Sequence, residues 1–301
     1  MFESLAVSSR LITRCAHTLL RSQRCTFHSS SVSRAIYEKD DKGGFRKDGD
    51  LKFPSRTEMI RDGFKQLKTE IMLWKDEVKE KLSMDPLAFA RKGEVDCLWD
   101  FKDPETLKKF QLASDKDHNH GYSTCELKMS PAGKGLFTGY IDATVPKDGI
   151  VQSSGYCSMR SYRARKSFKR DSYLNWSMYN TLVIRVRGDG RSYQLNIGNA
   201  GYYDLMWNDV FTFVLYTRGG PYWQLTKIPF SKFFFTSKGR IQDKQRPINL
   251  EMVSHFGITA TDTANGDFSL EIDYIGLEFD PEHTEEFAYE TYKHDNYIVG
   301  N

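Results

Sequence analysis

Residues 114–127 read Ser-Asp-Lys-Asp-His-Asn-His-Gly-Tyr-Ser-Thr-Cys-Glu-Leu and crowd Asp115, Asp117, His118, Asn119 and His120 into one short stretch. By ligand type, that density of carboxylate oxygens and imidazole nitrogens suits a metal ion. The spacing argues against it. Zinc takes three or four ligands held on rigid elements with an ordered second shell, and consecutive loop residues seldom converge on one ion. The expectation is a polar turn leading into a strand, with no metal bound.

Two other clusters carry chemistry of a different kind. The stretch 160–170, Arg-Ser-Tyr-Arg-Ala-Arg-Lys-Ser-Phe-Lys-Arg, holds the cations Arg160, Arg163, Arg165, Lys166, Lys169 and Arg170, two aromatics and no acid. Such interleaving can bind an anionic membrane surface, an acidic partner or nucleic acid. The plainer reading is a solvated strand and loop. The segment 198–209 carries Tyr202, Tyr203 and Trp207. These rings could stack on a sugar, anchor a protein partner or tuck under a sheet edge.

Charge separates some of these readings. The formal net charge is +3, but residues 1–34 hold five arginines against the single acid Glu3, so residues 35–301 carry about −1. A near-neutral body disfavours nucleic acid as a partner. No G-x-S-x-G, Walker loop or G-x-G-x-x-G occurs, and the seven histidines fall in no metal or triad spacing. No residue can be assigned a catalytic role, and no cofactor is implied.

The elements that must position these clusters come next. In residues 1–34, Arg10, Arg14, Arg21 and Arg24 share one helical face, with Leu5, Ile12, Ala16 and Leu19 opposite. An arginine-rich, acid-poor amphipathic start is the pattern of a mitochondrial transit peptide. Residues 35–54 are charged and glycine-rich and read as a flexible linker. Ser55 and Glu58 then make a capping-box pair after Pro54. From there Ile60, Phe64, Leu67, Ile71, Trp74, Val78 and Leu82 recur every three or four residues, predicting a long amphipathic helix that stops before Pro86, within a segment 55–97. Its stripe either covers the protein's own core or is offered to a partner's groove. No segment reaches the length of apolar sequence that a membrane span needs.

From about residue 98 the period changes to two. Leu182, Ile184 and Val186, then Tyr193, Leu195 and Ile197, flank Gly188-Asp189-Gly190, which predicts a β-hairpin and makes Arg187-Gly188-Asp189 its turn. In 268–279 the apolar phase slips between Tyr274 and Ile275, as a bulge requires. Trp223 and Phe230 are expected in the core. Short strands without intervening helices predict an antiparallel β-sandwich over 98–280, followed by an acidic, tyrosine-rich tail, 281–301, too polar to build core. Cys97, Cys125 and Cys157 are expected as buried thiols rather than disulfides or zinc ligands.

The stretches WSMYNTLVIRVRGDGRSYQL (176–195), WQLTKIPFSKF (223–233), FGIT (256–259) and GDFSLEIDYI (266–275) resemble the complex I intermediate-associated protein 30 family. That family comprises assembly factors for mitochondrial NADH:ubiquinone oxidoreductase. The resemblance implies a galactose-binding-like jelly-roll sandwich and a non-enzymatic chaperone of the matrix, peripheral to the inner membrane. It implies complex I assembly intermediates and other assembly factors as partners, among them an acyl-CoA-dehydrogenase relative. It also places His120 where the family turn usually has glycine. A carbohydrate-binding module is the alternative such a fold admits. Structural calcium in such modules suggests Asp273 with Asp100 or Glu94, although an outward-facing carboxylate on an exposed strand face is the expected outcome. Helix, aromatic loop and tail all compete as the partner surface. Tyr202, Tyr203 and Trp207 have the favoured chemistry.

Overall fold

A computed structural model describes residues 55–83, 93–147, 149, 151–199 and 209–289. The arginine-rich segment 1–34, the linker 35–54, the aromatic positions Tyr202, Tyr203 and Trp207, and the tail beyond residue 289 lie outside the described residues.

Helix α1 (Arg56–Ser83) begins as its sequence dictates. Ser55 N–H donates to Glu58 Oε2 at 2.8 Å while Glu58 N–H donates back to Ser55 Oγ at 3.4 Å, closing the capping box. The helix ends three residues ahead of Pro86, where the ring would clash with a continuing turn.

Two antiparallel sheets follow. The first runs β11 (Gln224–Pro229), β8 (Thr181–Arg187), β15 (Gly266–Glu278), β4 (Gly135–Ile141) and β3 (Thr124–Met129), with β1 (Val95–Asp100) on the far half of β15. The second runs β13 (Arg240–Ile241), β12 (Phe234–Ser237), β10 (Asp209–Tyr216), β9 (Ser192–Asn199), β14 (Val253–Ala260), β5 (Cys157–Ser161) and β2 (Phe110–Ser114). A short ribbon pairs β6 (Arg165–Lys166) with β7 (Arg170–Asp171). The chain passes repeatedly from one sheet to the other, giving the expected jelly-roll sandwich. Between the sheets lie the alternating residues of both: Leu182, Ile184 and Val186 face Tyr193, Leu195 and Ile197, with Phe137, Phe211 and Phe268 filling the layer.

That arrangement corrects the hairpin expected at Asp189-Gly190. β8 pairs with β11 and β15, whereas β9 pairs with β10 and β14, so the two runs belong to opposite sheets. Asp189 ties the corner instead: its carboxylate accepts from Arg191 N–H at 3.0 Å, Ser269 N–H at 2.7 Å and the Tyr193 hydroxyl at 3.2 Å. A Cβ on Gly188 would fall 2.3 Å from the Thr217 side chain, so the corner admits no side chain there. Alternation fixes which residues face the core, but a core between two sheets can be reached from either, and the pattern alone does not choose.

The bulge is real and sits one residue earlier than the apolar phase suggested. Pairing between β15 and β8 shifts between Ile272 and Tyr274, leaving Asp273 as the extra residue. Its carbonyl accepts Phe101 N–H at 3.0 Å. Ile272 and Ile275 both reach the core across the shift.

Candidate functional site

The turn at residues 114–123 is a structural tie. Asp115 is fully buried, and its carboxylate accepts from Ser123 N–H at 2.8 Å, Ser123 Oγ–H at 3.0 Å and Gly155 N–H at 2.7 Å. Asp117 accepts from Ser114 N–H at 3.0 Å, capping the short turn 115–118. Asn119 takes the left-handed conformation, φ 58°, that the reversal needs. Gly121 is required next to it: a Cβ there would fall 2.2 Å from Asp115 Oδ2. Both acids are committed to backbone N–H groups, and His120 follows through its own N–H, which donates to the Asp115 carbonyl at 2.8 Å. Holding a loop to two strands is what this donor set does.

Asp273 is also not the exposed carboxylate expected of it. It is 1 % exposed, beneath the outer face of the first sheet, with Lys134 and Arg185 paired to it and Lys102 at 3.9 Å. Burial pushes its pKa up, but the Lys134 hydrogen bond and the surrounding cations outweigh that and hold it below the usual aspartate value. Glu271 pairs with Arg187 and Ser130, and Glu278 with Lys227 at 2.7 Å. Trp223 is half-buried rather than in the core. It covers this ladder, with Arg185 and Arg187 lying 5.4 and 5.3 Å from its ring centre. Phe230 is in the core as expected. The cations that surround Asp273 leave it a poor calcium ligand, and neither Asp100 nor Glu94 is paired with it.

The basic stretch is split between two tasks. Arg160 and Arg163 are half-buried near His255, and Arg163 also lies 5.7 Å from the Tyr173 ring centre. Lys166 and Arg170 are exposed, and the backbone of Arg165 and Lys169 belongs to the same ribbon and turn. This turn holds α1. Phe168 N–H donates to Glu70 Oε2 at 2.6 Å, Ser167 N–H donates to Glu77 Oε1, and Arg170 pairs with Glu77. Phe168 has φ 57°, a conformation a bulky residue rarely takes, and this aims consecutive N–H groups at the two carboxylates. The Ser167 N–H, ahead of Arg170, holds the Glu77 pKa below its ordinary value.

The helix therefore docks through an acidic flank and not through its stripe. Ile60, Phe64, Leu67, Ile71, Trp74 and Leu82 are all exposed, Phe64 to 69 %. The pairing of Glu70 and Glu77 with this turn was not anticipated. A signal existed: the two acids stand seven residues apart, on one side of an otherwise apolar stripe.

The C-terminal segment is in place up to residue 289. Asn180 Nδ2–H donates to the Asp280 carbonyl at 2.6 Å, Ala288 N–H to the Ser231 carbonyl at 3.0 Å, and the Tyr289 hydroxyl to the Lys232 carbonyl at 2.9 Å. Of the three thiols expected to be buried, only Cys157 is; Cys125 is half-buried and Cys97, on the edge strand β1, is exposed, and none of the three is in a disulfide.

Comparison with known proteins adds a family to this geometry. Residues 99–272 match the family model described as complex I intermediate-associated protein 30. A Drosophila melanogaster relative named complex I intermediate-associated protein 30, mitochondrial, is 51 % identical over 274 residues, covering 90 % of this chain and 92 % of that one. A Mus musculus relative of the same name is 45 % identical over 206 residues, 68 % of this chain and 62 % of that one. Among solved structures, a family 11 carbohydrate-binding module of a Clostridium thermocellum cellulosomal cellulase aligns with TM-score 0.45 and 15 % identity, over 64 % of this chain and 98 % of that one. That likeness concerns the fold alone.

Proposed function

This chain belongs to the complex I intermediate-associated protein 30 family, and from that premise we propose that it is a non-enzymatic assembly factor of the mitochondrial matrix. It binds complex I assembly intermediates and other assembly factors, including an acyl-CoA-dehydrogenase relative, while resting peripherally on the inner membrane. The observation that carries the reading is the relative matched over nine-tenths of the chain at 51 % identity.

The state of the acids supports binding rather than catalysis. Asp115, Glu271, Asp273 and Glu278 are buried, and each is already engaged by an N–H group, a hydroxyl or a cation of this same chain. Each serves to tie strands and loops of the sandwich together. Among the described residues no helix is long and apolar enough to cross a membrane, which fits a peripheral attachment.

The partner surface is assigned to Tyr202, Tyr203 and Trp207, because Trp and Tyr dominate interface energetics. Cells lacking the chain, supplied with the triple alanine variant, should contain normal amounts of soluble protein but fail to restore complex I. Co-purifying assembly factors should be lost while other respiratory complexes stay unchanged. Full restoration would move the partner surface elsewhere, and an insoluble variant would show that the rings are core. Binding of the wild-type chain to glycans at micromolar affinity would favour the carbohydrate-binding alternative instead.

A further inference from the structure

Helix α1 has three kinds of flank. Of its apolar stripe, Ile60, Phe64, Leu67, Ile71, Trp74 and Leu82 are exposed and Val78 is half-buried. On one side of the stripe run Arg61, Lys65, Lys68, Lys75 and Lys79, recurring at three- and four-residue steps and all exposed. On the other side Glu70 and Glu77 bind the 165–171 turn, where Lys166, Phe168 and Arg170 are exposed. Glu58, Asp62 and Asp76 occupy the side away from the stripe. The stripe is thus bordered by its own row of five cations on one side and, on the other, by the turn, which carries Lys166 and the Glu77-paired Arg170.

We propose that α1 and the turn it rests on form a membrane-docking face. The helix lies flat on an anionic bilayer, with the stripe in the boundary between headgroups and acyl chains and the bordering cations over lipid phosphates. The inference rests on the peripheral-membrane reading above and names the surface responsible.

The charges identify the occupant. An interfacial helix combines aromatic and aliphatic residues on one face, lysine and arginine beside them, and low net hydrophobicity, as α1 does. Phosphates in a plane match the straight row of Arg61, Lys65, Lys68, Lys75 and Lys79, which runs the length of the helix beside the stripe. The docking of the acids onto the turn also serves this geometry. It turns Glu70 and Glu77, the carboxylates nearest the stripe, onto the N–H groups of Phe168 and Ser167, with Arg170 paired to Glu77 as well, so that both acids face the turn. It also fixes the helix by its side, leaving the stripe uncovered.

The test is flotation of the full chain with vesicles of phosphatidylcholine alone or with a fifth of cardiolipin. Wild type should float only with the anionic vesicles and dissociate as salt is raised. Phe64→Ser/Ile71→Ser/Trp74→Ser should reduce binding at least tenfold. Lys68→Gln/Lys75→Gln/Lys79→Gln should reduce it roughly a hundredfold, since each cation near such a surface contributes roughly fivefold. As a check that needs only a mild variant, brominated cardiolipin should quench the wild-type tryptophan fluorescence, and Trp74→Phe should remove most of that quenching. Absence of flotation, equal binding to neutral vesicles, or full binding by the stripe variant would each overturn the proposal. A stripe variant that still floats but loses co-purifying protein would assign the face to a protein groove instead. Restoration of complex I by a chain that does not float would overturn this inference while leaving the assembly reading intact.

Discussion

Replacing Asp115 by alanine tests whether the 114–123 turn is architecture. In the native turn one buried carboxylate satisfies the N–H groups of Ser123 and Gly155, at 2.8 and 2.7 Å, and the Ser123 hydroxyl. Its removal leaves two buried backbone donors unpaired, each worth about 1–3 kcal/mol. The expected loss is about 4 kcal/mol, a large share of the roughly 5–15 kcal/mol that holds a domain together. For a domain of this size it corresponds to a fall in Tm of roughly 10 °C. Gly121 supplies an internal control. Gly121→Ala forces a Cβ to within 2.2 Å of Asp115 Oδ2 and should cost about 1–3 kcal/mol by overpacking. In the Asp115→Ala background that oxygen is gone, so the second substitution should cost at least about 1 kcal/mol less, a coupling a double-mutant cycle resolves. Urea unfolding of the four proteins, with unchanged m, measures every term. The reasoning fails if Asp115→Ala costs under about 1 kcal/mol, or if Gly121→Ala costs the same in both backgrounds. A wild-type Tm that falls with a chelator as far as it does with Asp115→Ala would restore the metal reading.

Two further outcomes follow from the half-buried His255 and the buried Cys157. Burial, with Arg160 and Arg163 nearby, lowers the His255 pKa to about 3. The unfolded chain takes up a proton near pH 6.5 that the native state refuses, so stability should decline as pH falls through that window, by up to about 1.4 kcal/mol per pH unit. His255→Gln should flatten the difference between unfolding free energies measured at neutral pH and near pH 5; an unchanged slope would refute the assignment. The Cys157 thiol is pushed up in pKa by its neighbour Cys125 and by burial. Alkylation read by mass spectrometry should therefore label Cys97 in the native protein and Cys157 only after unfolding, and early labelling of Cys157 would show that its strand opens easily.

What the sequence discloses depends on the range of the interaction. The capping box at Ser55 and Glu58 spans four residues and forms as spelled. The bulge in β15 is local too, and the phase slip locates it to within a residue because burial of Ile272 and Ile275 forces the step. The partners of β8 and β9 are not local. Either sheet could accept each strand, and the Asp189 corner that separates them depends on Ser269 and Thr217, far away in the chain. The metal-like turn follows the same rule: Ser123 lies within reach of Asp115 in the sequence, but the third donor, Gly155, stands forty residues on. Nor could the stripe of α1 disclose on its own whether it was covered, because the answer lies with Phe168 and Ser167.

The order of strands also sets a schedule. β15, the last long strand, is the one that β8, β4 and β1 all pair with, so the first sheet has no centre until residue 278 is available. A chain emerging amino end first, from a ribosome or a translocation pore, can pair β3 with β4 and β8 with β11, but must leave one edge of β4, one edge of β8 and the whole of β1 unpaired until nearly all of it has arrived. Closure then joins β1 to β15 across most of the domain, a contact of high sequence separation and slow to form. During that interval exposed strand edges make the chain itself a client for folding helpers before it can serve any other protein.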